Sequence, residues 1–157
     1  MLEKPYLIVR TDEEFALARR LIEEYAESLG CSPCLRNIEL DMRSFPHPFA
    51  APGGALLLTR PDGAGVVGIK KVDEGLAEMA RLYVRPSFRG RKLGRILALG
   101  AIDQARQLDY KALRLYTLPE MKVALDLYRK LNFREIAPYG EHIIPGASYL
   151  EKNLADQ

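Results

Sequence analysis

The sequence has few of the residues that build metal or redox sites, because its 157 residues include only two cysteines and two histidines. Cys31 and Cys34 form a C-x-x-C pair, a spacing found in redox motifs and in half of many zinc sites. Here the pair follows a helical pattern and encloses Pro33, whereas a redox pair follows a buried strand and opens a helix. A zinc site would also need two further ligands. We therefore expect no metal site, and the role of the cysteine pair stays open.

Long apolar runs and a large excess of one charge are also missing. No run approaches the roughly 20 residues that cross a bilayer, and the N-terminus lacks a basic-then-apolar signal. These absences predict a cytoplasmic protein that does not enter a membrane. The net charge of +2 is too small to indicate nucleic-acid binding by itself. Length and mixed composition predict one domain over residues 1–157.

Strand-like and helical patterns follow one another without a linker. Thr11-Asp12-Glu13-Glu14 is a capping box that starts a first helix, with Gly30 expected as its left-handed terminator. A proline-rich segment, 31–54, holds a short helical candidate, Arg36 to Arg43. The patterns also predict helices at 93–108 and from Pro119 to 131, and strands at 5–10, 55–60, 65–71, 76–84, 112–117, 133–136 and 147–151. This order predicts an α/β fold of the α+β type, with a mixed, mostly antiparallel sheet flanked by helices.

One short segment concentrates positive charge. Residues 85–95 contain no acid and five cations, which are Arg85, Arg89, Arg91, Lys92 and Arg95. The segment joins the end of a predicted strand to the start of a predicted helix, where unpaired N–H groups and the helix dipole favour phosphate. It lacks the glycine spacing of dinucleotide-binding and P-loop motifs. We predict a pyrophosphate site; the alternative is a solvated basic turn.

The run from Arg89 to Gly94 resembles the motif of the GNAT superfamily of acyl-coenzyme A dependent N-acyltransferases. That motif is Arg or Gln, two residues, Gly, any residue, then Gly or Ala. Residues 78–86 and 117–133 are also similar to that family, in the same order. Lys92 departs from the pattern, since it stands where the motif has its first glycine. Asn132 replaces a frequent glycine before Phe133, and asparagine tolerates the left-handed backbone.

The resemblance implies a GNAT-like fold and acetyl-coenzyme A (acetyl-CoA) as cosubstrate, without a metal. Its pantetheine arm would lie between the strand ending at Val84 and the strand ending near Thr117, bonded to main chain at Leu82 and Val84. The cofactor-binding residues expected from the resemblance are Leu82, Tyr83, Val84, Arg89, Gly90, Arg91, Lys92, Leu93, Gly94, Arg95, Thr117, Ala124 and Tyr128.

Direct attack by an amine, which the resemblance implies, requires proton transfer. A lysine-like amine with a pKa of about 10.4 is neutral in only about one molecule in two thousand at pH 7. Glu78 is the candidate base, because on an ideal strand it shares a side with Ala80, Leu82 and Val84; a bulge would break that register. The alternative for Glu78 is a surface ion pair. Tyr128 is the candidate acid for the leaving thiolate, with a core tyrosine as its alternative.

The acceptor is expected to be a primary amine of a small molecule or peptide, and the sequence does not choose between them. Possible contributors to its pocket are Arg36, Glu39, Tyr139, Glu141 and His142. Two other functions stay open, a catalytically silent acyl-CoA binding or sensing module and, less favoured, a nucleic-acid binding module. A homodimer is possible, but no pattern predicts its interface.

Overall fold

The computed structural model describes residues 4–30, 32–141 and 143–155 of the chain. Its α-helices are α1 (Asp12–Ser28), α2 (Ser32–Arg43), α3 (Leu93–Gln107) and α4 (Lys122–Lys130). Its strands are β1 (Tyr6–Ile8), β2 (Ala55–Thr59), β3 (Gly65–Asp73), β4 (Leu76–Val84), β5 (Ala112–Thr117), β6 (Arg134–Glu135) and β7 (Ser148–Asn153). Short 3-10 turns occupy His47–Phe49 and Pro86–Phe88. None of the described helices is long and apolar enough to cross a membrane.

The strands form one sheet in the order β1-β2-β3-β4-β5-β7-β6. β4 and β5 are parallel, and the other neighbouring strands are antiparallel. α3 and α4 pack on one face, where Leu97 and Leu131 join the core, and α1 and α2 pack on the other with Ile22 and Ile38. The predicted α/β class, with a mostly antiparallel sheet flanked by helices, is confirmed.

The helix boundaries confirm the predicted start of α1 and correct three other predictions. Thr11 caps α1 in a full capping box with Glu14. The predicted cap at Gly30 is wrong, since α1 ends at Ser28 and Leu29 is already extended. α2 begins at Ser32, before the predicted Arg36, because a proline is tolerated in the first turn of a helix. α4 begins at Lys122, not Pro119, because a turn closed by the Met121 N–H and the Leu118 carbonyl (2.9 Å) precedes it.

A β-bulge interrupts the pairing of β3 with β4. Val66 pairs with Tyr83 but Gly68 pairs with Ala80, so two residues of β4 stand opposite one residue of β3. One of those two residues, Arg81, has a left-handed backbone with φ of 63°. A bulge of this kind reverses the side on which the following residues point.

The bulge places the two halves of β4 on different faces. Before it, Met79 packs in the α3 core; beyond it, Leu82 and Val84 take that side, while Ala80 and Tyr83 pack toward α1. The ideal-strand expectation that Glu78 and Ala80 share a side with Leu82 and Val84 is therefore wrong. The extra residue at the bulge is the physical reason.

A gap opens where β4 and β5 separate. The two strands are paired only from Leu76 with Ala112 to Glu78 with Arg114. Beyond Arg114, β5 continues its pairing with β7 as far as Thr117, while β4 continues with β3 as far as Val84. The gap between the two strand ends therefore lies beside the segment that leads into α3.

Candidate active site

The segment between β4 and α3 forms an uncapped helix start. Gly90 and Lys92 both have left-handed backbones, with φ of 84° and 61°. Lys92 occupies the N-cap position of α3 and its side chain forms no capping hydrogen bond. The first-turn N–H groups of α3 are therefore left without a side-chain acceptor at the cap. The left-handed backbone also explains why glycine, which adopts it without a steric penalty, would suit position 92.

The cations of this segment divide into two groups. Arg85 donates two hydrogen bonds to the Glu24 carboxylate, from Nε at 3.0 Å and from Nη2 at 2.8 Å, and this hydrogen bonding lowers the pKa of Glu24. The guanidinium of Arg91 lies 5.2 Å from the centre of the Phe88 ring. By contrast, Arg89, Lys92 and Arg95 form no ion pair within the part of the chain that the structure describes. These last three cations are available to an anion.

A cavity of about 700 Å³ lies against this helix start. Ten of the predicted cofactor-binding residues line it: Leu82, Tyr83, Val84, Arg89, Gly90, Lys92, Leu93, Gly94, Arg95 and Ala124. Arg91 does not line it, since it packs on Phe88. The sequence reasoning missed Tyr25, Ser28, Met121, Val123 and Leu127, which also line it. Val123 is 85% exposed. The sequence gives no sign of this exposure, because the side chain is apolar.

A narrow cleft continues from this cavity into the gap between β4 and β5. Its volume is about 70 Å³, and Tyr25, Leu82, Met121 and Ala124 line both spaces. Thr117 lines the cleft, and its buried Oγ1 has no hydrogen-bond partner among the described residues. A buried polar atom without a partner is uncommon in native proteins. The cleft therefore offers a free hydroxyl to whatever enters it.

Tyr128 lines the same cleft and is buried. Its ring packs edge-on against Phe133, with ring centres 5.8 Å apart. Burial raises the pKa of Tyr128 well above its ordinary value, and nearby Tyr25 raises it further. The phenol is thus protonated at neutral pH and can only donate its proton or accept a hydrogen bond. Tyr128 belongs both to the core and to the cleft wall, so the core-tyrosine alternative describes its packing, and its role as an acid stays a prediction.

Glu78 lines neither the cavity nor the narrow cleft. It lines two neighbouring pockets, of about 230 and 610 Å³, which share Asp41, Lys70, Glu78 and Gly140; we call them together the groove. The Tyr139 hydroxyl donates to Glu78 Oε2 at 2.8 Å, and Lys70 Nζ lies 3.6 Å from Glu78 Oε1. Glu78 is only 7% exposed, so it is not the surface ion pair of the alternative interpretation.

Arg81 separates the groove from the narrow cleft, since it lines both. It is buried, and its Nη2 donates to the Asp41 carboxylate and, at 3.3 Å, to the Asn37 carbonyl. Asp41 also accepts from Lys70 at 2.9 Å. The sequence reasoning missed Arg81, Asp41 and Lys70, because their meeting depends on the packing of α2 against the sheet.

Only some of the residues proposed from sequence for an acceptor pocket line the groove. Tyr139 and Glu141 line the groove. Arg36 and Glu39 are exposed on α2 and are not among the residues that line it. His142 lies outside the described residues, as does Cys31. Cys34 is buried in a small apolar cluster with Leu118 and Ile144.

Comparisons with known proteins agree with this geometry. Residues 23–133 match the Acetyltransferase (GNAT) family. An IAA acetyltransferase of Azospirillum brasilense is 33% identical over 141 residues, which cover 86% of this chain and 89% of that protein. A Klebsiella pneumoniae structure assigned as an acyl-CoA N-acyltransferase has a TM-score of 0.71 and 26% identity, covering 97% of this chain and 99% of that chain. A Salmonella typhimurium acetyltransferase, solved with its cofactor acetyl-CoA, has the same fold, with a TM-score of 0.64 at 17% identity, covering 97% of this chain and 95% of that chain.

Proposed function

The chain belongs to the GNAT acetyltransferase family, and on that premise we propose that it transfers the acetyl group of acetyl-CoA to a primary amine by direct attack. The observation that carries the proposal is the continuity of the cavity at the uncapped start of α3 with the cleft between β4 and β5. We propose residues 1–157 as one such domain.

The shape and charge of the two spaces suit acetyl-CoA. The three unpaired cations, Arg89, Lys92 and Arg95, surround the N-terminus of α3, where backbone N–H groups and the helix dipole favour the pyrophosphate. The apolar wall formed by Leu82 and Ala124 suits the pantetheine chain. The Salmonella typhimurium relative of this fold was solved with acetyl-CoA, which supports the same cofactor here.

The acetyl thioester would lie at the inner end of the cleft, next to the groove. An amine entering from the groove attacks the thioester carbon, the carbonyl oxygen takes the electron pair, and the carbon–sulfur bond then breaks. The products are an amide and coenzyme A with a free thiol. One proton must leave the amine and one must reach the thiolate.

We propose that Glu78 and Tyr128 serve these two proton transfers. Glu78 lines the groove, on the side from which the amine would enter, so we propose it as the base, acting directly or through a water molecule. Tyr128 lines the cleft and keeps its proton, so we propose it as the acid that protonates the thiolate.

The acceptor would occupy the groove. Its described walls carry both signs of charge: acids at Asp41, Glu78 and Glu141, and bases at Lys70 and Arg81. A nearly neutral groove of this kind is compatible with an amine on a small molecule or on a peptide, and both belong in the test.

Calorimetric titration with acetyl-CoA is the first test, with dephospho-coenzyme A and duplex DNA titrated in parallel. We expect one acetyl-CoA per chain, followed by release of free thiol when a panel of amino acids, polyamines and peptides is added. Binding of acetyl-CoA without turnover on any amine would instead indicate an acyl-CoA sensing module. Salt-sensitive binding of DNA without binding of acetyl-CoA would refute the proposal in favour of a nucleic-acid module.

A further inference from the structure

Arg81 carries an unpaired donor at the inner end of the narrow cleft. The residue is 6% exposed, and its Nη2 is hydrogen bonded to Asp41 and to the Asn37 carbonyl. Its Nε, however, is buried without a hydrogen-bond partner among the described residues. A buried N–H without an acceptor is destabilising, and more so on a charged group. Such a group in a native fold calls for an explanation, and a ligand that brings an acceptor into the cleft supplies one.

The backbone holds this side chain in place at a conformational cost. Arg81 has a φ of 63°, a conformation that a residue with a long side chain rarely adopts. The bulge turns its side chain toward α2, and there Arg81 lines the cleft with Leu82 and Thr117 and the groove with Glu78. Arg81 therefore stands where the spaces proposed for thioester and amine meet.

The charges around Arg81 decide which kind of acceptor its Nε can take. Burial opposes the charge of Arg81, but Tyr116 and Asp41 outweigh it and raise the pKa above its ordinary value, so the guanidinium stays charged. Asp41 already compensates that charge, and Lys70 lies 2.9 Å from Asp41 and 3.6 Å from Glu78. Nε therefore needs no anion to balance the guanidinium. A neutral carbonyl oxygen in the cleft satisfies it, and the positive guanidinium stabilises the negative charge that this oxygen gains during the reaction.

We infer that Arg81 is a further catalytic residue, whose Nε–H donates a hydrogen bond to the thioester carbonyl oxygen of bound acetyl-CoA. This inference rests on the proposed function. As the amine nitrogen bonds to the carbonyl carbon, the π electron pair moves to the oxygen, and the bond from Arg81 strengthens. When the tetrahedral intermediate collapses, the pair returns, the carbon–sulfur bond breaks, the amine proton goes to the base and the thiolate takes a proton. A donor whose hydrogen bond is stronger in the transition state than in the ground state accelerates the reaction.

The test measures the thioester carbonyl of bound acetyl-CoA directly, so no amine acceptor has to be known. Isotope-edited infrared spectra are recorded for acetyl-CoA labelled at the thioester carbonyl, free and bound to the wild-type protein, Arg81→Met, Arg81→Gln and Asp41→Asn. We expect the bound carbonyl stretch to move to lower frequency in the wild type and in Asp41→Asn. We expect Arg81→Met to lose that shift and Arg81→Gln to lose most of it. The affinity for acetyl-CoA should stay within about threefold of the wild type, since one hydrogen bond made mainly in the transition state is removed.

Kinetics supply the second readout, once the amine panel has given an acceptor. Arg81→Met should lower kcat about 100-fold to 1,000-fold, the usual loss for one oxyanion donor. A wild-type carbonyl that does not shift on binding would overturn the inference even if none of the three substituted proteins folded. A shift that survives in a folded Arg81→Met protein would also overturn it. An effect confined to the KM of the acceptor would overturn it too, by assigning Arg81 to the amine. Failure of the wild type to bind acetyl-CoA would instead overturn the proposed function.

Discussion

Gly94, in the first turn of α3, allows the cofactor site to be tested against the stability of the fold. A Cβ built at Gly94 meets no atom within 4 Å, and the backbone there is helical. Gly94→Ala therefore introduces no clash in the free protein, and it should stabilise the helix by about 0.5 kcal/mol, less than the full Gly-to-Ala difference because the position is terminal. The new methyl group would occupy space at the cavity wall that a pyrophosphate needs to approach the backbone.

The expected result is therefore a free protein that is slightly more stable and a complex that is weaker. If Gly94→Ala raises the Kd of acetyl-CoA about tenfold, it loses about 1.4 kcal/mol of binding free energy. At a ligand concentration of 100 times the wild-type Kd, binding should stabilise the wild type by about 2.7 kcal/mol and the variant by about 1.4 kcal/mol. Thermal unfolding with and without acetyl-CoA measures both quantities on one sample, and calorimetric titration gives the Kd directly.

Gly100→Ala is the matched control, on the same helix. Its Cβ would lie 2.8 Å from Tyr6 Cε1 and 2.9 Å from Leu57 Cδ2, so it should destabilise the fold by about 1 kcal/mol through overpacking. Gly100 lies about 9 Å further along the helix axis than Gly94, so the affinity for acetyl-CoA should not change. A Gly94→Ala protein that binds acetyl-CoA as tightly as the wild type would refute the assignment of the pyrophosphate to this turn.

Four further substitutions test single residues. Tyr128→Phe should lower kcat at least about 100-fold with an unchanged Kd for acetyl-CoA, measured by steady-state kinetics and titration, and unchanged turnover would remove Tyr128 from the mechanism. Glu78→Gln should lower kcat by a similar factor, about 100-fold or more, with the KM for acetyl-CoA unaltered; an active variant would return Glu78 to a structural role. Lys92→Gly should stabilise the free protein by about 0.5–1 kcal/mol in urea unfolding, because it relieves a left-handed side chain, and should make the affinity for acetyl-CoA less sensitive to salt. Tyr139 has a pKa raised by burial and by Glu78. In the native state Tyr139 therefore keeps its phenol proton above pH 10, where the unfolded state loses it, so the free energy of unfolding falls by up to about 1.4 kcal/mol per pH unit. Urea unfolding from pH 9 to 11 should show that Tyr139→Phe removes this contribution to the pH dependence of stability.

The parts of the fold that depend on local chemistry could be predicted from the sequence. The capping box at Thr11 and the left-handed Asn132, with φ of 70°, depend on neighbours within a few residues, and both are present. The positive segment before α3 was equally visible, because it is continuous in sequence and its helix start follows directly. Turn chemistry is harder to predict: Pro119 is typical of a helix start, but a closed turn separates it from α4.

The groove could not be predicted, because its residues come from segments that are far apart in the chain. Asp41 meets Lys70 and Arg81 only when α2 packs on the sheet, and Tyr139 reaches Glu78 across 61 positions of sequence. The bulge at Arg81 likewise arises from the register of β3 with β4, and no residue pattern in either strand predicts it. The strand pattern alone points to Glu78, but the side of the sheet on which it lies required the structure, and its role as a base stays a prediction.

The bulge in β4 also has a consequence for how this enzyme can diversify. Because one extra residue turns the strand over, Leu82 and Val84, which we propose contact the acetyl donor, lie on one face, and Glu78, which we propose faces the acceptor, lies on the other. The groove is also built by Asn37, Leu40 and Asp41 of α2, by the turn after α2 and by residues 139–141, none of which lines the donor cavity or the narrow cleft. On the proposed function, substitutions at those positions would exchange one amine for another and leave the donor site intact, so the bulge would let acceptor choice and donor binding evolve separately.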